Sequence, residues 1–410
     1  MRKAMIIGGG ASGIMAAISA ARNGADVTLL EHKDRIGKKI LMTGNGKCNL
    51  SNLSFSGKNY YSDYPELMSS VFQKFAVEDT MQFFEGLGLL TKEKKGYVYP
   101  MSEQASSVLD VLRSELKRLH VATVTECDIK HINRTKNGFS IQSNKGTYEC
   151  SSLVIACGSK AAPQTGSDGS GYTLAKKFGH HVIAPLPALV QLRCTEDYMK
   201  SVAGVRCEAN ISVKVDGKQC AEESGELQVT DYGITGIPVF QISRIVSKAL
   251  HEKKKVMIDI DLMPTLTEEE IYHYLLQLRK EKSCTVEEAL AGMINKKLLG
   301  MILKLNQIKG TTDWKSIGNN QLLLEKIVAS VKRWTVHINQ TNPFQNAQVC
   351  CGGIDCSEVM DTMESKKVKN LYFAGEILDV DGICGGYNLQ WAWSSGYLAG
   401  MNAARRSDES

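Results

Sequence analysis

A chain of 410 residues is long enough for two or three domains with sizeable cores. Hydrophobic residues at 43% and charged residues at 23% exclude a disordered or fibrous chain, and a net charge of +5 permits an anionic partner without demanding one. Twelve cysteines without a regular framework fit a reducing cytoplasm, and the lack of any Cys-x-x-Cys argues against a disulfide reductase.

The chain opens on a short apolar run, Met5-Ile6-Ile7, that breaks at Gly8. It is too short for a signal peptide, and no later stretch approaches the roughly 20 apolar residues of a membrane span. Gly8, Gly10 and Gly13 follow in the spacing Gly-x-Gly-x-x-Gly, then a run of good helix formers from Ile14 to Ala21. Val27 to Leu30 reads as a second strand, ending in Glu31. Each part has a task in a dinucleotide-binding strand–helix–strand unit. Gly8 permits the tight turn, Gly10 the approach of a pyrophosphate, and Gly13 close packing of helix on sheet. The pyrophosphate would sit over the free amides at the helix start, around Ala11 and Ser12. Glu31 stands where an acid accepts hydrogen bonds from ribose hydroxyls, and it disfavours a 2′-phosphate, so FAD or NAD fits better than NADP.

The next loop carries Arg35, Gly37, Lys38 and Lys39, then Thr43-Gly44-Asn45-Gly46-Lys47-Cys48-Asn49. Its amides and cations suit a polar ligand, and its composition predicts that no part of it is a core element. Residues 66–90 read as helical, and Ser102 as the cap of a helix carrying Val108, Leu109, Leu112 and Leu116. Strands follow over 121–155, with a hairpin turn at Lys136-Asn137-Gly138. The last of these ends in Ala156-Cys157-Gly158, small enough to pass beneath a dinucleotide. Gly166 to Gly171 is a second Gly-rich loop, but no strand precedes it, so it is not read as a second fingerprint.

Residues 190–260 are β-rich, and 265–334 are helical. Thr267 with Glu270 and Thr285 with Glu288 form two capping boxes. Leu290, Ile294, Leu298, Ile302 and Leu305 recur at the spacing of one helix. The acid-free stretch around it holds Lys296, Lys297, Lys304 and Lys309 and gives the chain a possible RNA contact. Leu371 to Glu376 is another apolar strand ending in small residues, and the last helix is expected to start near Leu389. His180-His181 and Cys350-Cys351 match no common metal pattern, and no metal site is expected.

Taken together, the Gly8/Gly10/Gly13/Glu31 unit, the loop from Thr43 to Asn49, and Phe373-Ala374-Gly375-Glu376 with Asp381-Gly382 and Gly386-Tyr387-Asn388 resemble the BaiN/YhiN-type flavoproteins, which include aminoacetone-oxidase-like members. The resemblance spans the whole chain. It implies an α/β fold: a Rossmann-like, two-dinucleotide-type FAD domain split by an inserted β-barrel domain and a small helical domain. The expected boundaries are 1–188 and 347–410 for the FAD domain, 189–263 with a return strand at 334–346 for the β-rich insert, and 264–333 for the helical insert. The resemblance also implies that His32, Arg35 and Lys38 to Asn49 wrap the cofactor and that Ile129 touches the adenine by its backbone. Gly375, Glu376, Asp381 and Gly386 to Asn388 would approach the ribityl chain and flavin. Cys157 is a departure, since many FAD proteins of this broad class carry Thr in that turn.

The activity this implies is FAD-dependent reduction of an activated C=C bond of the bile-acid or steroid enone type, driven by NADH or NADPH. The alternatives are reduction of uridine in ribosomal RNA and an oxygen-using amine oxidase. Tyr387 and Cys48 are the candidate proton donors, because both lie in segments expected near the flavin.

Overall fold

The first strand, Lys3–Ile7, is buried at four of its five positions, the pattern of a parallel strand covered on both faces. The computed structural model describes residues 2–281 and 284–405. In it this strand lies at the centre of a five-stranded sheet in the order Leu371–Phe373, Ser152–Ile155, Lys3–Ile7, Asp26–Leu30, Ala122–Val124. Every adjacent pair runs parallel, with Ile7 opposite both Ile155 and Leu30, and Ile155 opposite Phe373. The two ends of the chain therefore build one sheet.

A second device joins them. The terminal helix, Tyr387–Ala404, packs on the fingerprint helix, Ala11–Arg22, through glycines. A Cβ at Gly400 would stand 2.1 Å from the Ala16 carbonyl oxygen, and one at Gly396 would stand 2.5 Å from that of Ser12. Ser19 Oγ donates to the Tyr397 carbonyl at 2.8 Å. Backbone approach this close is what glycine provides and any side chain would prevent.

The chain divides into two compact units, one of residues up to Leu186 and from Ala347 onward, the other Pro187–Asn346. The second unit contains a closed six-stranded barrel, in the order Leu192–Cys194, Gly233–Gly236, Lys218–Val229, Arg206–Val215, Val256–Asp261, Trp334–Thr341. Ile211, Val213, Leu227, Ile258, Ile260 and Val336 alternate inward along these strands and are buried. The helices of this unit include Glu268–Glu281, Val286–Leu290, Lys296–Leu305, Trp314–Gly318 and Gln321–Lys332. Both capping boxes form: Thr267 and Glu270 exchange bonds of 2.8 and 3.1 Å, and Thr285 and Glu288 bonds of 2.9 and 3.3 Å.

Four local expectations are corrected. The single helix through Leu290 and Leu305 is two, because the Asn295 side chain accepts from the Lys297 amide at 2.9 Å and starts a new helix at Lys296. Ser102 does not cap the Ala105–Arg118 helix. Gln104 occupies the N-cap, and Ser102 Oγ accepts from its amide at 3.3 Å instead. The Asn-rich loop is partly core. Gly44 to Lys47 are open to solvent, but Cys48 to Asn52 are buried, with the Leu50 amide donating to the Val98 carbonyl and the Leu50 carbonyl accepting from the Trp393 indole. The terminal helix also starts two residues before Leu389, at Tyr387.

Candidate cofactor site

The fingerprint turn depends on close backbone approach. Gly8 has φ +106°, and a Cβ there would stand 2.4 Å from the Ala156 carbonyl oxygen. A Cβ at Gly13 would come within 1.8 Å of the Gly8 carbonyl oxygen, so only glycine lets the helix meet the strand here. Gly10 differs: it is the N-cap of the helix, and a Cβ on it would meet nothing within 4 Å. No side chain caps this helix and no acid stands in its first turn. The amides of its first turn, through Ala11, Ser12 and Gly13, are thus free to face an anion.

Glu31 is 8% exposed. Its Oε2 accepts from the Gly9 amide at 2.7 Å and its Oε1 from the Lys33 amide at 2.8 Å. A carboxylate has about four acceptor sites, so ribose hydroxyls can be added to these two bonds. Gly9 was not singled out from the sequence, although its amide orients the acid. Glu31→Ala strands both amides, and we expect it to weaken FAD binding by roughly 1–3 kcal/mol. Fluorescence titration of the apoprotein with FAD measures this, and unchanged affinity would remove Glu31 from the site.

The second Gly-rich loop closes on the same place. A Cβ at Gly166 would stand 3.3 Å from His32 Cε1 and 3.5 Å from Glu31 Oε1. Ser167 Oγ donates to the Ser159 carbonyl at 3.0 Å beside Gly158, which has φ +71°. The loop therefore walls the acid end of the site without being a fingerprint, and only its tertiary position reveals it. The amide of Cys127, two residues before Ile129, donates to the Glu31 carbonyl at 2.9 Å, which brings that strand's start to the same end. Cys157 lies with its sulfur 3.5 Å from the Ile7 carbonyl oxygen, and burial pushes its thiol pKa up.

The wrapping loop meets the C-terminal segments. Lys39 Nζ stands 2.6 Å from Glu376 Oε2, which also accepts from Ser159 Oγ at 3.3 Å. Lys38 pairs with Asp34, Arg35 is exposed, and Thr43 Oγ1 donates to the Ile40 carbonyl at 2.6 Å. Gly44 and Asn45 both take φ +55°. The Gly375 turn is fixed by the terminal helix: its amide donates to Ser395 Oγ at 2.9 Å and its carbonyl accepts from the Trp391 indole at 3.1 Å.

The test of fit for a dinucleotide is twofold. Asn49 is buried and its Oδ1 has no hydrogen-bond partner, a costly arrangement unless a ligand donor meets it. Beside it, a Cβ at Gly386 would stand 2.9 Å from that oxygen and 2.6 Å from the Ser51 carbonyl oxygen, so the Gly-Gly turn is shaped for close approach. With the open helix end at Gly10 and the acid at Glu31, these residues fit FAD.

At the far end, Asn52 Nδ2 donates to the Gly385 carbonyl at 2.9 Å. Tyr387 is 4% exposed; its hydroxyl donates to the Ser54 carbonyl at 3.1 Å and its ring packs edge-on to Tyr60. Burial and the neighbouring Tyr97 phenol raise its pKa. Cys48 is fully buried with φ +56°, and burial pushes its thiol up to about 11. Asn388 uses both ends of its amide on Gly382, accepting from its N–H and donating to its carbonyl at 2.8 Å each, so it fixes the turn at Asp381. Asp381 itself is buried and pairs with Tyr61.

The four lysines of the helical region divide. Lys297 Nζ donates to the Ala203 carbonyl at 2.7 Å and Lys296 stands 3.5 Å from Glu287, while Lys304 and Lys309 line a cavity of about 370 Å³ with Leu303 and Ile308. Among the described residues no group of three His, Cys, Asp or Glu side chains is placed to hold a metal. No helix among them is long and apolar enough to cross a membrane.

The chain has relatives along its whole length. The chain is 43% identical over 410 residues to the 3-dehydro-bile acid delta(4,6)-reductase of Clostridium scindens, covering 99% of this chain and 100% of that protein. It is 29% identical over 410 residues to the ribosomal RNA dihydrouridine synthase of Haemophilus influenzae, covering 98% of each. Among solved structures, 3-ketosteroid delta1-dehydrogenase from Sterolibacterium denitrificans shares the fold, with a TM-score of 0.50 at 11% identity over 98% of this chain and 99% of that one. Residues 2–402 match the family described as HI0933-like protein Rossmann domain. The chain belongs to that HI0933-like family and is an FAD-dependent oxidoreductase.

Proposed function

We propose that this enzyme reduces a carbon–carbon double bond conjugated to a ketone on a steroid or bile-acid skeleton, with NADH or NADPH as the electron source. The observation that carries this reading is the full-length identity of 43% with a reductase whose name specifies a 3-dehydro bile acid. FAD would be held by the first-turn amides after Gly10 at its pyrophosphate, by Glu31 at its ribose, and by Asn49 and the Gly385–Tyr387 turn toward its ring end. When bound, FAD supplies hydride chemistry.

The chain's own residues supply the proton and the charge balance. Addition to an enone leaves an enolate, which needs an acid. The Tyr387 hydroxyl is that acid. Its bond to the Ser54 carbonyl, at 3.1 Å, is long for an O–H···O pair, so the proton is held in place but weakly. The phenol is protonated at neutral pH, and burial moves its pKa further up. The start of the terminal helix, at Tyr387 itself, offers amides and the positive end of its dipole to the developing negative charge.

A second reading is reduction of uridine in RNA, since uracil also carries a C=C bond conjugated to a carbonyl. It is favoured by the 29% identity with ribosomal RNA dihydrouridine synthases and by the exposed Lys304 and Lys309. Product analysis separates the two. Incubation of the FAD-loaded protein and NADH or NADPH with a 3-oxo-4,6-diene bile acid should bleach the dienone absorbance and yield the reduced ring. Dihydrouridine in ribosomal RNA, with the dienone untouched, would overturn the leading reading.

A further inference from the structure

We infer that Tyr97 is a second phenol of the reducing site, whose hydroxyl hydrogen-bonds the carbonyl oxygen conjugated to the C=C bond. The class of that ligand rests on the reading above; the convergence of the two phenols rests on geometry. Tyr97 opens the Tyr97–Pro100 strand, in which Val98 and Pro100 are buried and Tyr97 and Tyr99 half-buried. That alternation turns Tyr97 to the face away from the core. Its partner across the sheet is Asn52, and the side chains of paired residues share a face. Asn52 Nδ2 donates to the Gly385 carbonyl at 2.9 Å, which brings this face to the Gly-Gly turn before Tyr387. All of these residues belong to the unit that carries the cofactor site.

Gly385 is where the two rings meet. It has φ +125°, and a Cβ on it would stand 2.9 Å from Tyr97 Cε1 and 3.2 Å from Tyr387 Cε2. Each of those ring carbons is bonded to the carbon that bears the hydroxyl, so the two hydroxyls flank one glycine. Burial first, and the Tyr97 phenol second, raise the Tyr387 pKa. The phenols differ in what their protons do. Each has a single O–H to donate. Tyr387 commits its proton to the Ser54 carbonyl and is 4% exposed. Among the described residues the Tyr97 hydroxyl makes no hydrogen bond, and residues 383–386 beside it are only half-buried. The open donor is therefore Tyr97, and the proton held in place is that of Tyr387. Reduction of an enone gathers negative charge on its carbonyl oxygen, and a donor positioned there stabilises that charge more than the neutral ketone. Tyr387 gives its proton to the carbon next to the carbonyl and regains one from solvent. No covalent bond to Tyr97 forms or breaks.

Binding of 3-oxo-chol-4-en-24-oic acid and of chol-4-en-24-oic acid, which lacks the ketone, tests this without turnover in the oxidised FAD-loaded protein. The wild type should bind the ketone more tightly, and the bound enone should absorb at longer wavelength than the free one. Tyr97→Phe keeps the ring against Gly385 and removes only the hydroxyl. It should weaken the ketone about 3- to 10-fold, abolish the absorbance shift and leave the ketone-free acid unchanged. In the dithionite-reduced protein it should slow re-oxidation by the enone about 10²–10³-fold, the usual loss of one donor to a developing oxyanion. Tyr387→Phe should keep both the shift and the ketone preference. Tyr97→3-fluorotyrosine, a more acidic donor, should enlarge the shift and serves if Tyr97→Phe does not fold. A shift and preference that survive Tyr97→Phe, a shift unmoved by the fluorotyrosine, or a wild type without either effect overturns the proposal. Reduction of the enone by the wild type is the separate check on the reading above. Reduction without the shift sinks only the role of Tyr97, and a shift lost in Tyr97→Phe without reduction sinks only that reading.

Discussion

Gly13→Ala should yield colourless protein. The new Cβ would fall 1.8 Å from the Gly8 carbonyl oxygen, so the fingerprint helix must move off its strand. Such overpacking costs about 1–3 kcal/mol, and the displaced amides no longer face a pyrophosphate. We expect FAD retention through gel filtration to be lost and the melting temperature to fall. Gly10→Ala is the matched control. Its Cβ enters open space, so the melting temperature of the apoprotein should hold while FAD affinity drops, because the methyl group occupies the approach to the helix end. If Gly13→Ala remains yellow and melts normally, the packing account of this turn is wrong. If Gly10→Ala binds FAD normally, the pyrophosphate lies elsewhere.

Tyr387→Phe should slow re-oxidation by enone about 10²–10⁴-fold, the usual contribution of a positioned acid, while reduction by the electron donor stays near normal. The substitution keeps the ring that packs edge-on to Tyr60 at 5.7 Å and removes only the hydroxyl bonded to Ser54. Cys48→Ser is the parallel test of the alternative donor, and with Tyr387 as the acid it should leave that half-reaction unchanged. Rapid mixing of the reduced variants with enone separates the cases. A normal rate in Tyr387→Phe would reduce the tyrosine to a packing residue.

Much of the first half of the site was legible because it is local. Strand, turn, helix and acid from Met5 to Glu31 follow one another in sequence, and each glycine's task depends on neighbours a few residues away. The other parts depend on partners far along the chain. The Tyr387 hydroxyl bonds to a carbonyl 333 positions away, and Asn49 meets Gly386 across a similar span. The resemblance, not periodicity, pointed to those segments. Gly166 was set aside for want of a preceding strand, yet it reaches Glu31 through the fold. Closure of six strands into a barrel is likewise a tertiary event that alternation alone does not encode. The misjoined helix at Leu290–Leu305 shows the opposite failure, in which a local cap at Asn295 outweighed an apolar repeat that ran straight through it.

The central claim is that electrons pass from this protein's FAD to a conjugated C=C bond. The most direct test is an anaerobic single turnover, in which the FAD-loaded protein is reduced with one equivalent of dithionite and mixed with a 3-oxo-4,6-diene bile acid. The account predicts return of the oxidised flavin absorbance at a rate that saturates with the bile acid, with one equivalent of reduced product. Flavin that stays bleached with the dienone but recovers with ribosomal RNA or oxygen would contradict it.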